Sequence, residues 1–438
     1  MGIEYLHPSV NSRIVDNSQT FSTTQGSTVL FAAGRATKGE DNKLIRLTNV
    51  EEAEFKVGLP DMAKTGQTLY NVFNWLKANG EAYFIRVLPV DAAYANAMLS
   101  IGTDVDGTNL TVIPTIKPIA NVISIDVAKT LVNSAPVTTG TTTVYPLAMF
   151  LPKGRGEAYN GLGIKISPLD SLDATYPFRT YSLSITEKDT VGNDVVVEGP
   201  YTVAFEPTAK DRNRESIYFA NVINKYSLRV TVVATDANYD AIRTFINNDA
   251  TVNPLNLDIF FGKERNGSSV AIHNKVKFAT PLTSGLASNQ VTLSTASNLL
   301  VPNTFDKGFE GTWTGANSED SLVARAYSGE IDSDVLDKKQ YLFDIVLDGN
   351  TSPVVKNAMH DLATNIRGDL MAILDCGFQA TAQQTLDQRT NVVNMSSFNT
   401  AIFGQDLVFD DEYTGSTIKV TVPYVLATKI PSVDIAFG

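Results

Sequence analysis

The chain has 438 residues, 43% of them hydrophobic and 19% charged. That is ordinary globular usage, which excludes a disordered or low-complexity protein and, at roughly 100 to 200 residues per domain, implies about three domains. A formal net charge of -12 and a pI near 4.8 exclude nucleic acid and anionic membranes as natural partners, because both need a basic surface to displace counterions. No run approaches the roughly 20 apolar residues of a bilayer span. The opening MGIEYLHPSV lacks the basic and apolar regions of a secretory signal, so the partners expected are proteins and the place of assembly expected is the cytoplasm of the producing cell.

Met1 to Gln25 mixes polar residues with isolated apolar ones and shows neither a helical stripe nor strand alternation, which reads as an extended arm. TVLFAA, Thr28 to Ala33, reads as a buried strand ended by Gly34. LIRL is a second short strand, after which Thr48 is placed to cap a helix and Glu51 to close the capping box. Leu69, Val72, Phe73 and Leu76 recur at helical spacing, Asn79 and Gly80 end that helix, and AYFIRVL follows as a strand, half of a strand-helix-strand unit.

Charge becomes sparse from Ser100 to Tyr145 while Thr, Val and Ile abound, a profile of short strands and turns that reads as a small β insertion. After GRGEAYNGLGIKISP, Tyr181, Leu183 and Ile185 alternate on one strand and Tyr201, Val203 and Phe205 on the next, with Gly192 and Asn193 in the turn. Helices are expected over Ile217 to Tyr226 and Tyr239 to Ile246, on either side of the strand LRVTVVA. The Ser-, Thr- and Asn-rich stretch from Thr280 to Asn303 marks a boundary. Beyond it YLFDIVL reads as a fully buried strand, Pro353 starts a helix with Val355, Met359, Leu362 and Ile366 on its apolar face, and LMAILD is a second buried strand. Two strands joined by a crossover helix imply parallel pairing.

The expected fold class is mixed α/β and β, multidomain, with an α/β core and an inserted β-rich protrusion. The boundaries expected are an arm at 1–25, a discontinuous α/β middle domain at 26–100 and 146–300, the β-rich insertion at 101–145, and an α/β domain at 301–438 that contains the parallel unit.

Chemistry is sparse. His7, His273 and His360 are too scattered for a triad or a metal site, and neighbouring helical positions such as His360 and Asp361 point in different directions. Gly34 to Gly39 and Gly262 to Gly267 have P-loop spacing without the phosphate-reaching lysine, and Gly161 and Gly163 form a lone GxG that reads as a turn. Cys376, the single cysteine, lies at the end of an apolar run and reads as a structural thiol. Asp410, Asp411 and Glu412 read as a solvated turn. The strongest enzyme-like feature is Asp348 and Asp375, near the carboxyl ends of two parallel strands, where open α/β sheets bind ligands and where two carboxylates could hold a divalent cation. With no third ligand or base nameable, no catalytic, cofactor or metal residue is assigned and no cofactor is expected.

Several segments, in order, resemble the contractile tail sheath family of bacteriophages. GRATKGEDNKLIRLTNVEEAEFKVG is similar to that family's strand, Gly-Lys-Gly-like loop, short strand and helix ending in Phe and Gly. GQTLYNVFNWLKANGEAYFIRVL resembles the following helix and strand, with Asn79 and Gly80 before Tyr83 and the pair Arg86 and Val87. GRGEAYNGLGIKI resembles a Gly-Trp-Gly-Asn stretch, with Tyr159 where tryptophan is usual; YTVAFEPTAKDRNRESIYFANVINKYS, YLFDIVLDGN and LMAILD complete the series.

The resemblance implies a structural subunit, not an enzyme. Such subunits polymerise in hexameric rings or helical strands around a tail tube protein, between baseplate and tail terminator proteins, in a virion tail assembled in the cytoplasm of the bacterial host. Contraction then drives the tube through the host envelope, inserted domains face outward, and terminal arms pair with strands of neighbouring subunits. In the family the region resembling VPYVLATKIPSVDIAFG is followed by a further segment that folds with the amino-terminal arm into an assembly domain. The sequence here stops at Gly438, so the expectation is either a fragment or a short lineage, and a folded monomer that does not build long tubes alone. The alternatives are the sheath of a bacterial contractile injection system (type VI secretion or tailocin-like), an α/β ligand-binding protein or hydrolase using Asp348 and Asp375, and a surface adhesin built from the β insertions.

Overall fold

The computed structural model describes residues 28–437 except 107–108, 140–141, 169–179, 190, 206, 236–237, 239–275, 278–292, 295–298 and 301–302. The expected arm at 1–25, the helix at 239–246, most of the boundary at 280–303, His7, His273 and the Gly262 to Gly267 pair lie outside those residues. The chain forms two compact units, Met1–Pro89 with Trp313–Gly438, and Val90–Thr312.

The first unit begins with β1, Val29–Gly34, whose continuous apolar run suits a strand covered on both faces. β2, Leu44–Leu47, leads to α1, Val50–Val57. The cap sits one residue later than expected: Asn49, extended at φ -156, accepts the Glu52 amide, and the Glu52 carboxylate in turn accepts the Thr48 amide at 2.9 Å. The capping pair is therefore Asn49 with Glu52 instead of Thr48 with Glu51, because the carboxylate three residues beyond the extended residue is Glu52. α2, Met62–Lys77, bends at Gly66 and buries Leu69, Val72, Phe73 and Leu76 as the spacing requires. Asn79 at φ 62 turns the chain into β3, Glu81–Arg86.

The second unit contains β4 (Ala97–Asp106), β5 (Asn109–Lys117), α3 (Ile125–Val132), β6 (Val137–Thr139) and β7 (Thr142–Pro152). These are followed by β8 (Gly163–Pro168), β9 (Tyr181–Lys188), β10 (Asp194–Val203), α4 (Phe219–Tyr226) and β11 (Val230–Ala234). Short strands β12 (Val276–Lys277), β13 (Leu293–Ser294), β14 (Leu299–Leu300) and β15 (Asn303–Thr304) complete it. One sheet runs β11-β7-β4-β5-β12 with β6 beside β7, and a second runs β10-β9-β8-β15. Phe150, Tyr181, Phe205 and Phe219 share their core.

This unit divides differently from the composition-based boundaries at 100, 145 and 300. β4 pairs with β7 from Ala97↔Phe150 to Asp104↔Thr142, and β11 extends the same ladder at Ala148 to Pro152, so one sheet runs through both expected boundaries of the 101–145 insertion. A change in composition along a strand pair does not interrupt the backbone ladder.

The first unit resumes with α5 (Glu319–Tyr327), β16 (Ile345–Leu347), α6 (Pro353–Asp361), β17 (Met371–Asp375), α7 (Ala382–Asn391) and β18 (Thr400–Phe403). A hairpin, β19 (Asp406–Asp410) and β20 (Thr417–Thr421), then leads into α8 (Val422–Phe437). The sheet order is β18-β17-β16-β1-β3-β2, all parallel except β2. α2 packs with Leu30 and Ala32 on one face, while α5 and α6 pack with Phe31 and Val346 on the other.

Two details differ from the sequence reading. Only Ile345–Leu347 of YLFDIVL is strand and Leu342 is exposed, because the Asp344 carboxylate takes the Val29 amide at 2.8 Å and ends the ladder there. α6 widens into a π turn over Leu362–Ile366, which rotates Ile366 off the line of Val355, Met359 and Leu362 and leaves it 38% exposed.

Candidate functional site

β1 and β16 are neighbours, and the connection leaving β1 places α2 on one face of the sheet while the one leaving β16 places α6 on the other. That divergence is a topological switch point, where open α/β sheets have their crevice. A cleft of ≈ 420 Å³ lies there, lined among others by Gly34, Thr68, Gly349, Thr351, Ser352 and Lys419. The loop after β16 packs against α2 at its floor: a Cβ on Gly349 would lie 2.7 Å from the Thr68 amide nitrogen.

Asp348 and Asp375, the carboxylates expected at the strand ends, are brought together, but inside the protein. They are 0% and 1% exposed, and the Lys356 ammonium from the first turns of α6 lies between them, 2.6 Å from Asp348 Oδ2 and 3.1 Å from Asp375 Oδ1. Lys356 also donates to the Thr351 carbonyl at 2.6 Å. Asp348 Oδ1 accepts the Thr351 amide and hydroxyl at 2.9 and 2.6 Å, and its Oδ2 accepts the Asp375 amide at 3.1 Å. Asp375 accepts the Gly377 amide at 2.7 Å on Oδ1, and the Asn350 amide and Thr421 hydroxyl at 3.1 and 2.7 Å on Oδ2.

Charge and burial oppose each other here. Burial, and then the adjacent Asp348 carboxylate, raise Asp375 to about 6 against the pull of Lys356. Burial pulls Lys356 down, but its two carboxylate partners outweigh it and hold the ammonium above its usual value. A buried pair of carboxylates already saturated by the chain's own donors is built to hold loops together; it offers no open coordination position to a cation or substrate.

The other candidates resolve as structural groups. His360 Nδ1 is 2.8 Å from the Thr400 hydroxyl, and its neighbour Asp361 accepts from Asn365, so the two form no dyad. Gly39 has φ 112, its carbonyl accepts from the buried Arg86 guanidinium at 2.9 Å, and Arg86 also binds the Ala36 carbonyl, so the Gly34 to Gly39 loop is clamped to the sheet. The Cys376 thiol is buried and pushed up first by desolvation and then by Asp375. Gly161 at φ 101 serves a turn beside the 3-10 segment Glu157–Tyr159. The acidic trio differs from the solvated turn expected: Asp411 is 3% exposed and accepts the Tyr70 hydroxyl at 2.7 Å, while Glu412 pairs with Lys77. Desolvation favours keeping polar groups out, but a tyrosine hydroxyl from α2 supplies the partner that lets this carboxylate stay inside.

Lys356, Gln67, Tyr70 and Thr421 were not named from sequence. Lys356 had a signal, as a lysine next to Val355 in the first turns of an apolar-faced helix that follows Asp348 by a short loop. Thr421 had none, since 46 residues separate it from Asp375.

No protein-family model matches the chain, and no curated protein sequence matches it. Among solved structures the chain is similar to the sheath tail protein of Listeria innocua at 9% identity and a TM-score of 0.42, covering 96% of this chain and 59% of that one. It is also similar to the sheath tail protein of Desulfitobacterium hafniense at 11% identity and a TM-score of 0.38, covering 94% of this chain and 60% of that one, so the chain spans about three fifths of the length of each sheath tail protein.

Proposed function

We propose that this chain is a structural subunit of a contractile phage tail sheath, polymerising around a tail tube in a virion tail and contracting by rigid-body rearrangement, with no catalytic role. The observation that carries this reading is the hairpin β19–β20. It is a two-stranded sheet among the described residues, Ile418 and Val420 of β20 pack with Tyr70, and β19 leaves Val408 66% exposed. A two-stranded sheet is marginal alone, and an open strand edge is a template for an added strand. An extended arm from a neighbouring subunit would gain backbone hydrogen bonds there with little demand on its sequence, and a head-to-tail contact of that kind propagates into a helical array. The sheath-like segments support the same reading, since GRATKGEDNKLIRL, the helix before AYFIRVL, and LMAILD all fall on the six-stranded sheet of the first unit and its covering helices.

The bacterial injection-system sheath is the same proposal with another genome. The hydrolase reading is disfavoured by the internal saturation of Asp348 and Asp375. The test is electron microscopy and light scattering of the chain mixed with a tail tube protein from the same genome. Ordered rings or tubes that Val408→Asp prevents are the expected result; a chain that stays monomeric with its tube protein at all salt concentrations overturns the proposal.

A further inference from the structure

The Lys356–Asp348–Asp375 cluster holds one ammonium and two carboxylates, each residue at most 2% exposed, so with all three ionised it buries one uncompensated negative charge. The segment that closes over it comes from far along the chain. Thr421, at the junction of β20 and α8 and itself 0% exposed, donates its hydroxyl to Asp375 Oδ2 at 2.7 Å and its amide to Gln67 Oε1 at 2.8 Å, while Gln67 Nε2 donates back to the Thr421 hydroxyl at 2.9 Å.

We propose that this cluster is a proton-operated latch for the C-terminal hairpin and helix, Asp406–Phe437, which is held more tightly on the parallel sheet when Asp375 takes up a proton. The inference does not depend on the sheath reading. With the segment docked, Asp375 is dry; with Thr421 lifted away, water reaches it and relieves the desolvation that is the largest cause of its raised pKa. That effect is larger than the loss of the Thr421 hydrogen bond, which favours the carboxylate, while Asp348 and Lys356 stay in place in both states. The docked state therefore binds the proton more tightly, and by linkage acidification favours docking.

Charged and titratable groups face Asp375 from the elements packed against it. Asp348 faces it from β16 and Lys356 from α6; on β20, Lys419 is paired with Asp406; in the hairpin turn, Asp411 is bonded to Tyr70 of α2. Cys376 beside it is pushed up, further from its charged form, with Arg389 of α7 acting on that thiol, and Tyr327 of α5, facing Asp348, is raised by burial.

Hydrogen exchange followed by mass spectrometry on the whole chain, corrected for intrinsic rates, tests this. From pH 8 to pH 5, peptides within 406–437 should gain about tenfold in protection relative to peptides of 90–312, the factor for titrating one group through one unit below about 6. Asp375→Asn should remove that pH dependence. Thr421→Val, close in shape, should lower protection of 406–437 several-fold at both pH values and leave 90–312 unchanged. A flat profile in the unaltered chain, a tenfold change that persists in Asp375→Asn, or unchanged protection in Thr421→Val overturns the latch. If Asp375→Asn does not fold, the unaltered chain and Thr421→Val decide it.

Discussion

The Lys356 ammonium lies 2.6 Å from Asp348 Oδ2, with the two side chains 3% and 0% exposed. Eight residues apart in sequence, they join the end of β16 to the helix that follows it.

Removing that lysine leaves two buried carboxylates facing each other without a cation. Lys356→Met should cost about 3 to 5 kcal/mol at pH 7, the usual effect of breaking a buried pair from one side. Part of that loss should return at lower pH, because a carboxyl with a raised folded pKa contributes most once protonated. Urea unfolding at pH 8 and pH 5 measures both; a loss below about 1 kcal/mol at pH 7 would contradict the role assigned to the cluster.

Gly39→Ala tests the reading of the Gly34 to Gly39 loop. Gly39 sits at φ 112, and a Cβ there would collide with the Lys56 backbone carbonyl, which has no rotamer by which to give way. Destabilisation of about 2 to 4 kcal/mol is expected from strain and overpacking together. Thermal unfolding checks it, and a substitution within about 0.5 kcal/mol of neutral would mean the loop is free to move.

Tyr70→Phe removes one of the donors to the buried Asp411. The Thr414 hydroxyl and Tyr413 amide remain, so the cost should be about 1 to 2 kcal/mol at pH 7. Desolvation pushes Asp411 up, but the Thr414 and Tyr70 hydroxyls and backbone amides outweigh it and hold its carboxyl below the ordinary 3.8. A depressed folded pKa adds stability above the unfolded value that disappears as pH falls through the folded one. The parent chain should therefore lose stability below about pH 4, and the variant should lose less over the same interval. Parallel urea-midpoint curves from pH 7 to pH 3 would show that the bond to Tyr70 does not set this carboxyl's titration.

Deleting 102–145 and joining its flanks should break the second unit. The deletion takes β5, α3, β6, the second half of β4 and the first four residues of β7, so half of the β4–β7 ladder is lost and the β7–β11 pair that remains is stripped of most of its sheet. Two transitions are expected to become one, with the parallel sheet of the first unit still unfolding cooperatively in calorimetry. Retention of both transitions would restore the view of 101–145 as a peripheral insertion.

Local pattern carried much of the first unit. The apolar run of β1, the four-residue stripe of α2, Pro353 at the start of α6 and the buried MAILD strand all depend on neighbours within a few turns, and spacing alone placed them. The positions of Asp348 and Asp375 at adjacent strand ends were legible for the same reason, since a strand-helix-strand unit has one preferred arrangement. Only the tertiary structure decided what those carboxylates do. Their counter-ion lies on the intervening helix, their cover comes from Thr421 on a hairpin 46 residues beyond Asp375, and their burial depends on how that hairpin and α2 meet through Gln67. The burial of Asp411 and the continuity of β4 with β7 are of the same kind. Composition and spacing report on residues close along the chain, whereas solvation of a charge and pairing of a strand are set by whatever the fold brings from a distance.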